Sequence, residues 1–152
     1  MKAAAQQVRR SLAELGLDSF PLLTGGKGIH VVVPIAPVAE WAEVRQFAKL
    51  FCTALAEAAP KRFTVALPKE RRRWRIFLDF LRNQRTATAV LPYSARAREG
   101  MPVAAPVTWA ELDGIERSDA FTIADVEQLV CRSNRAGLVM WGLAEQTLPR
   151  FS

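Results

Sequence analysis

The stretch Arg75-Ile76-Phe77-Leu78-Asp79-Phe80-Leu81-Arg82-Asn83 places a carboxylate at the centre of what reads as a buried β-strand, since five of its nine residues are large and apolar. A period of two sets Ile76, Leu78 and Phe80 on one face and Phe77, Asp79 and Leu81 on the other. An ionised Asp between apolar neighbours is costly unless a cation or hydrogen-bond donors meet it. Two arrangements satisfy that demand: an ion pair with one of the nearby arginines, or ligation of a metal on a sheet floor. The strand by itself does not choose between them.

Charge narrows the field. The net charge is +6 with a pI near 10, a balance that fits a nucleic-acid or polyphosphate partner. Its distribution says more: 11 of the 21 basic residues fall between Lys61 and Arg98, nearly all of them arginine. The planar guanidinium fork suits phosphate oxygens better than a lysine point charge does. A chain of 152 residues is long enough for one domain with a real core. Cys52 and Cys131 show no metal spacing and form no disulfide framework, and a single His argues against a zinc site; a reducing cytoplasm is the expected setting. No apolar run is long enough to span a membrane, and Met1-Lys2-Ala3-Ala4-Ala5-Gln6 leads into a charged amphipathic helix rather than a signal peptide.

Read in order, Ala3 to Leu15 carries Val8, Leu12 and Leu15 at helical spacing, with Gly16 placed to end the helix. Leu17–Leu23 and Ile29–Pro34 read as strands flanking the glycine-rich turn Thr24-Gly25-Gly26-Lys27-Gly28. Pro37 can open a helix over Val38–Ala59, with Val44, Phe47, Leu50, Phe51 and Leu55 along its inner face. Phe63–Leu67 is a short strand and Lys69–Arg73 a polar helical turn. Tyr93–Ala97 alternates as a strand does, and Met101–Val107, holding Pro102 and Pro106, can only be an edge strand or an extended segment. Trp109–Leu112 reads as one helical turn. Thr122 caps a helix from Ile123 to about Arg132 with Asp125 three residues on, and Leu138–Gln146 is a last short helix.

Two further stretches carry chemistry. Three glycines in Thr24-Gly25-Gly26-Lys27-Gly28 let backbone N–H groups approach an anion closely, and Lys27 adds charge. This is not a Walker loop, because a glycine follows the lysine and no helix begins there; a hairpin turn with an incidental Lys is the plainer reading. His30, the chain's one histidine, shares a strand face with Val32; a lone histidine on an apolar strand is more often a satisfied core residue than a functional one, though here a hydroxyl, an ammonium and an imidazole fall within seven residues. In Tyr93-Ser94-Ala95-Arg96-Ala97-Arg98, Arg96 and Arg98 fall on one strand face, so two guanidinium groups can point at one polyanion or simply lie exposed on an edge.

Taken together, Thr24-Gly25-Gly26-Lys27-Gly28-Ile29-His30-Val31, the Arg75–Asn83 stretch, Ala87-Thr88-Ala89-Val90, Pro92-Tyr93-Ser94 with Arg96-Ala97-Arg98, and Pro102-Val103-Ala104 with Pro106 resemble, in order and spacing, the polymerase domain of bacterial ATP-dependent DNA ligase D. That domain belongs to the archaeo-eukaryotic primase superfamily, and the resemblance runs over roughly residues 10 to 130. It implies a nucleotidyl transferase that extends or fills DNA ends in non-homologous end joining, often with ribonucleotides. It assigns contacts with the incoming triphosphate to Thr24, Lys27, His30 and Arg96. It makes Asp79 one of three metal-binding carboxylates, for Mg²⁺ or Mn²⁺. Nucleoside triphosphate and DNA ends are the implied partners, with a ligase or Ku beside them, in the bacterial cytoplasm at the nucleoid.

The chain departs from this pattern in one place above all. The family's other two metal carboxylates form an Asp-x-Asp motif one helix upstream of the glycine-rich block, and none occurs here: the aspartates are Asp18, Asp79, Asp113, Asp119 and Asp125. Leu22-Leu23 stands where a Lys-Thr pair is expected, weakening the polar rim of the nucleotide site, Thr86 replaces a Gly, and Glu99 a Pro. The expectation is a C-terminal half of such a polymerase, inactive alone because two metal carboxylates are missing. It would be completed by a separate N-terminal-half polypeptide, or else persist as a non-catalytic nucleotide- or DNA-binding remnant or as a structural subunit of a repair complex. The expected fold is a single α/β (α+β) domain: a mixed sheet of the Leu17, Ile29, Arg75 and Tyr93 strands with the Val38 helix packed on it, and an apolar surface left for a partner or a second copy.

Overall fold

A computed structural model describes residues 1–149. The elements in order are α1 (Lys2–Glu14), β1 (Phe20–Leu23), β2 (Ile29–Val32), α2 (Trp41–Ala58), β3 (Phe63–Thr64), β4 (Ile76–Phe77), β5 (Ala105–Pro106), α3 (Trp109–Gly114), α4 (Val126–Ser133) and α5 (Ala136–Val139). Single 3₁₀ turns lie at Lys69–Arg72 and Ile123–Asp125. They divide into two compact units, one of residues Met1–Ile35 with Val90–Gln146, the other of Ala36–Ala89 with the described residues from Thr147. Among the described residues no helix is long and apolar enough to cross a membrane.

The first unit is built on an antiparallel sheet in the order β2-β1-β5. Leu22 pairs with both His30 and Pro106, and Leu23 with both Ile29 and Ala105. As the central strand, β1 is buried from Pro21 to Leu23. Its leucines, each 1% exposed, are therefore core residues and not the rim of a nucleotide site. Ala5 of α1, Leu23, Val107 and Leu112 of α3 form one apolar cluster, with Ile29, Val31 and Trp109 against it. The turn after α1 closes as Gly16 adopts φ +74 and the Leu17 N–H reaches the Leu12 carbonyl at 3.0 Å. The end of the unit is tied back to its beginning: the Trp141 indole N–H donates to the Pro21 carbonyl (3.0 Å), and the Gln146 amide to the carbonyls of Asp18 (2.9 Å) and Pro34 (2.6 Å).

The α+β class expected from the sequence is the one observed, but the sheet has a different make-up. The third strand comes from the proline-bearing segment, and Pro106, which has no N–H to donate, sits on the edge as its chemistry requires. The Tyr93–Ala97 strand reduces to a single bridge, Ala95 to Val103. There the Ser94 N–H (3.2 Å) and hydroxyl (2.7 Å) both turn back to the Leu91 carbonyl, and Tyr93 holds φ +63, so local bonds displace a regular ladder. The last helix covers Ala136–Val139 rather than Leu138–Gln146, because Gly142 takes φ +76 and the Gln146 side chain is engaged in the tie just described.

In the second unit, α2 starts at Trp41, not Val38. Glu40 and Glu43 form a reciprocal capping box there, the Glu43 carboxylate accepting the Glu40 N–H at 2.7 Å. Phe47 and Leu55 are buried, and the Phe47 and Phe51 rings stack at 6.1 Å, whereas Leu50, at 43% exposure, falls outside the apolar stripe. The helix packs against β3, which pairs in parallel with β4 as a separate two-stranded sheet. The long strand Arg75–Asn83 is therefore only Ile76–Phe77. Ladder bonding ends where the Leu78 N–H meets the Thr64 carbonyl at 3.0 Å; after it the Asp79 carboxylate accepts the Leu81 N–H at 3.1 Å and folds the chain into a turn.

Candidate nucleotide and phosphate site

The glycine-rich loop joins β1 to β2 in the first unit, and its shape is held by hydrogen bonds from both sides. The Thr24 hydroxyl donates to the Gly28 carbonyl at 2.8 Å, closing the loop on itself. Ser118, in the segment after α3, also donates to the Gly28 carbonyl, while its Oγ accepts the Thr24 N–H (3.0 Å) and its carbonyl accepts the Gly25 N–H (3.0 Å). Gly25 has φ +65, and a Cβ there would lie 2.8 Å from the Cγ of Arg96. Glycine is thus required twice over at this position, by backbone and by space. A Cβ on Gly26 would stand 3.3 Å from the Arg98 guanidinium.

Two arginines therefore lie along the loop, with Lys27 exposed at its tip and the Thr24 and Gly25 N–H groups taken up by Ser118. Arg96 is positioned by the pairing of its segment with Pro102–Ala104: its N–H donates to the Pro102 carbonyl at 2.7 Å, and Tyr93 N–H to Ala104 at 2.7 Å. Beside the loop a cavity of about 320 Å³ is lined by Lys2, Gly26, Lys27, Arg117, Ser118 and Asp119, among others. The Arg117 guanidinium, paired at 2.8 Å, is the main cause that holds the Asp119 carboxyl down at about 2, with a smaller contribution from Arg98. Ile29 and Val31 pack on the α1 side of the sheet, so alternation puts half-buried His30 on the other face, opposite Leu22.

Of the site residues read from the sequence, Thr24, Lys27, His30 and Arg96 belong to the first unit, and Arg96 lies against Gly25, the residue after Thr24. Asp79 belongs to the second unit. Its side chain is 41% exposed and lies 3.6 Å from the Arg82 guanidinium, the ion pair that was one of the two arrangements open to it. Among the described residues no three His, Cys, Asp or Glu side chains come together in a way that could hold a metal ion. The other aspartates whose carboxylates make hydrogen bonds are occupied locally: Asp113 by Gln6, Asp119 by Arg117 and Asp125 by Thr122. The donors present do not fit a two-cation centre. Ser118 and its neighbours Arg117 and Asp119 went unnoticed in the sequence, because nothing in their spacing ties a loop after α3 to a glycine turn so far upstream.

Comparisons with known proteins bear on the family and the fold. The family described as LigD, primase-polymerase domain, matches residues 1–136. The multifunctional non-homologous end joining protein LigD of Pseudomonas aeruginosa is 40% identical over 128 residues, which are 84% of this chain and 15% of that protein. The bifunctional LigD of Bacillus subtilis is 36% identical over 124 residues, 81% of this chain and 20% of that protein. Among solved structures, the polymerase domain from Mycobacterium tuberculosis ligase D in complex with DNA superposes with a TM-score of 0.80 at 31% identity, covering 91% of this chain and 47% of that one. The chain thus spans under a quarter of the curated relatives and about half of the solved domain. On these matches, the chain belongs to the LigD primase-polymerase domain family.

Proposed function

We propose that this chain is the part of a LigD-type DNA-end polymerase that grips the triphosphate of an incoming nucleotide, and that by itself it transfers no nucleotide. One observation carries the reading: the Arg96 side chain and the Arg98 guanidinium lie against Gly25 and Gly26 of a glycine loop that also bears exposed Lys27, so three cationic residues line one turn. Guanidinium forks and a lysine ammonium each favour phosphate oxygens, and together they offset several negative charges while fixing the ligand's orientation. DNA ends in non-homologous end joining are the second partner, and a cytoplasmic, nucleoid-associated location follows from that partner.

Divalent cations, when bound in such a polymerase, lower the pKa of the primer hydroxyl and stabilise the leaving pyrophosphate. Asp79 stands where the family's motif puts one of their ligands, but paired with Arg82 it is a single carboxylate. A separate polypeptide bearing an Asp-x-Asp motif would complete the centre; without one, the chain acts as a nucleotide- or DNA-binding module of a repair assembly. The lack of a clustered donor set among the described residues favours this second reading for the isolated chain.

Primer-extension assays with Mn²⁺ and the purified protein test the claim. No extension is expected, and Mn²⁺-dependent incorporation abolished by Asp79→Ala would overturn it. Titration with a nucleoside triphosphate should show weak binding that Lys27→Ala and Arg96→Ala weaken further. Micromolar affinity indifferent to both substitutions would put the triphosphate elsewhere.

A further inference from the structure

Trp74 is fully exposed, at 100%, and its backbone is held at φ +61. A large aromatic ring standing wholly in water forfeits its burial, and a left-handed conformation is unfavourable for a bulky residue. The segment that presents it is nonetheless well anchored. Arg72 folds inward: its guanidinium lies 3.7 Å from the centre of the Phe77 ring and donates to the carbonyls of Ala66 (3.0 Å) and Leu67 (2.6 Å). Arg75 ties the far side, its N–H donating to the Arg72 carbonyl at 2.9 Å and its side chain to the Arg71 carbonyl. With Arg72 and Arg75 committed to the backbone beneath, Lys69, Arg71 and Arg73 are left exposed with Trp74, and Glu70 is the one acidic residue between Lys69 and Arg75.

We propose that Trp74 is a stacking platform for an unpaired base of single-stranded DNA, such as the overhang of a broken end, with Arg71 and Arg73 on the flanking phosphates. An aromatic face among exposed positive charges matches the two parts of a nucleotide that a single strand offers at once, the base plane and the phosphate. A duplex offers the charge but keeps its base faces stacked internally, so the ring should discriminate between the two forms. This proposal rests on the reading of the chain as a DNA-end protein and adds a site in the second unit, apart from the glycine loop's residues.

Fluorescence anisotropy of a labelled oligothymidine and of a blunt hairpin duplex, with the whole chain, tests it. Trp74→Ala should weaken oligothymidine binding about tenfold and leave the duplex within about twofold, while Trp74→Phe, which keeps a ring, stays within about threefold of the parent. Arg73→Ala should weaken both ligands and reduce the salt slope by about one. Because Trp74 is fully exposed, its substitution leaves the core intact. Unchanged oligothymidine affinity in Trp74→Ala, or an equal loss on the duplex, overturns the proposal. A parent protein that binds neither DNA would bring down the DNA-end reading as well, so the two failures are distinguishable.

Discussion

Thr86 shows what a single residue can reveal about this chain. The family resemblance puts a glycine there, and the structure has Thr86 at φ +73, where a β-branched side chain is strained. Such strain costs on the order of 1–3 kcal/mol, partly offset by the greater unfolded-state freedom of glycine. Thr86→Gly should therefore raise stability by about 1 kcal/mol in urea unfolding. An unchanged or lower midpoint would mean that the turn relaxes around the threonine. Cys52 makes a second case: burial first, and then the negative charge of Asp79, push its thiol up to about 11. It should stay protonated at neutral pH and react slowly with thiol reagents while exposed Cys131 reacts fast, and two equally fast thiols would contradict this.

Among the elements, α3 and α4 are joined by one buried charge. Arg132 on α4, its side chain 5% exposed, meets the Glu111 carboxylate at 3.0 Å and lies 4.7 Å from the Phe121 ring centre. Glu111 also completes the cap of α3 by accepting the Thr108 N–H at 2.8 Å. Burial works to raise the Glu111 carboxyl, but the Thr108 bonds and the Arg132 guanidinium outweigh it and hold it below the ordinary carboxylate range. A group lowered in the folded state adds stability that is complete above its unfolded value and is lost as pH falls through the folded one. Glu111→Ala should cost about 3 kcal/mol, because it strands a buried cation and removes a cap. Arg132→Met, which leaves a carboxylate with water access, should cost less. Equal losses in thermal unfolding would show that the pair is not what binds the two helices.

At the scale of the whole molecule, the first unit is assembled from the two ends of the sequence, residues 1–35 and 90–146, and depends on long-range ties. Trp141 is one of them, with its ring 6.0 Å from Phe20, edge to face, and its N–H on Pro21. Trp141→Ala should destabilise the protein by about 2 kcal/mol, below the full cost of a buried aromatic since the ring is half-buried. A change under a few tenths in chemical denaturation would show the C-terminal segment to be dispensable.

Local chemistry determined what was legible in the amino-acid order. The helix at Lys2–Glu14, the strands either side of the glycine turn, the Thr122 cap and the edge placement of Pro106 each follow from spacing, capping or a missing N–H, and each was foreseen close to where it lies. The order and spacing of the sequence blocks likewise carried the family. Tertiary structure alone decided the partners. Apolar alternation over Arg75–Asn83 described a strand, yet only two of its residues found a neighbouring strand, and Asp79 bent the rest into a turn beside Arg82. Ser118 came to the glycine loop from far along the chain by the packing of α3 against β1 and α1. Periodicity encodes which face of a segment is apolar; it does not encode which other segment will cover that face, and that choice decided which carboxylates and cations meet.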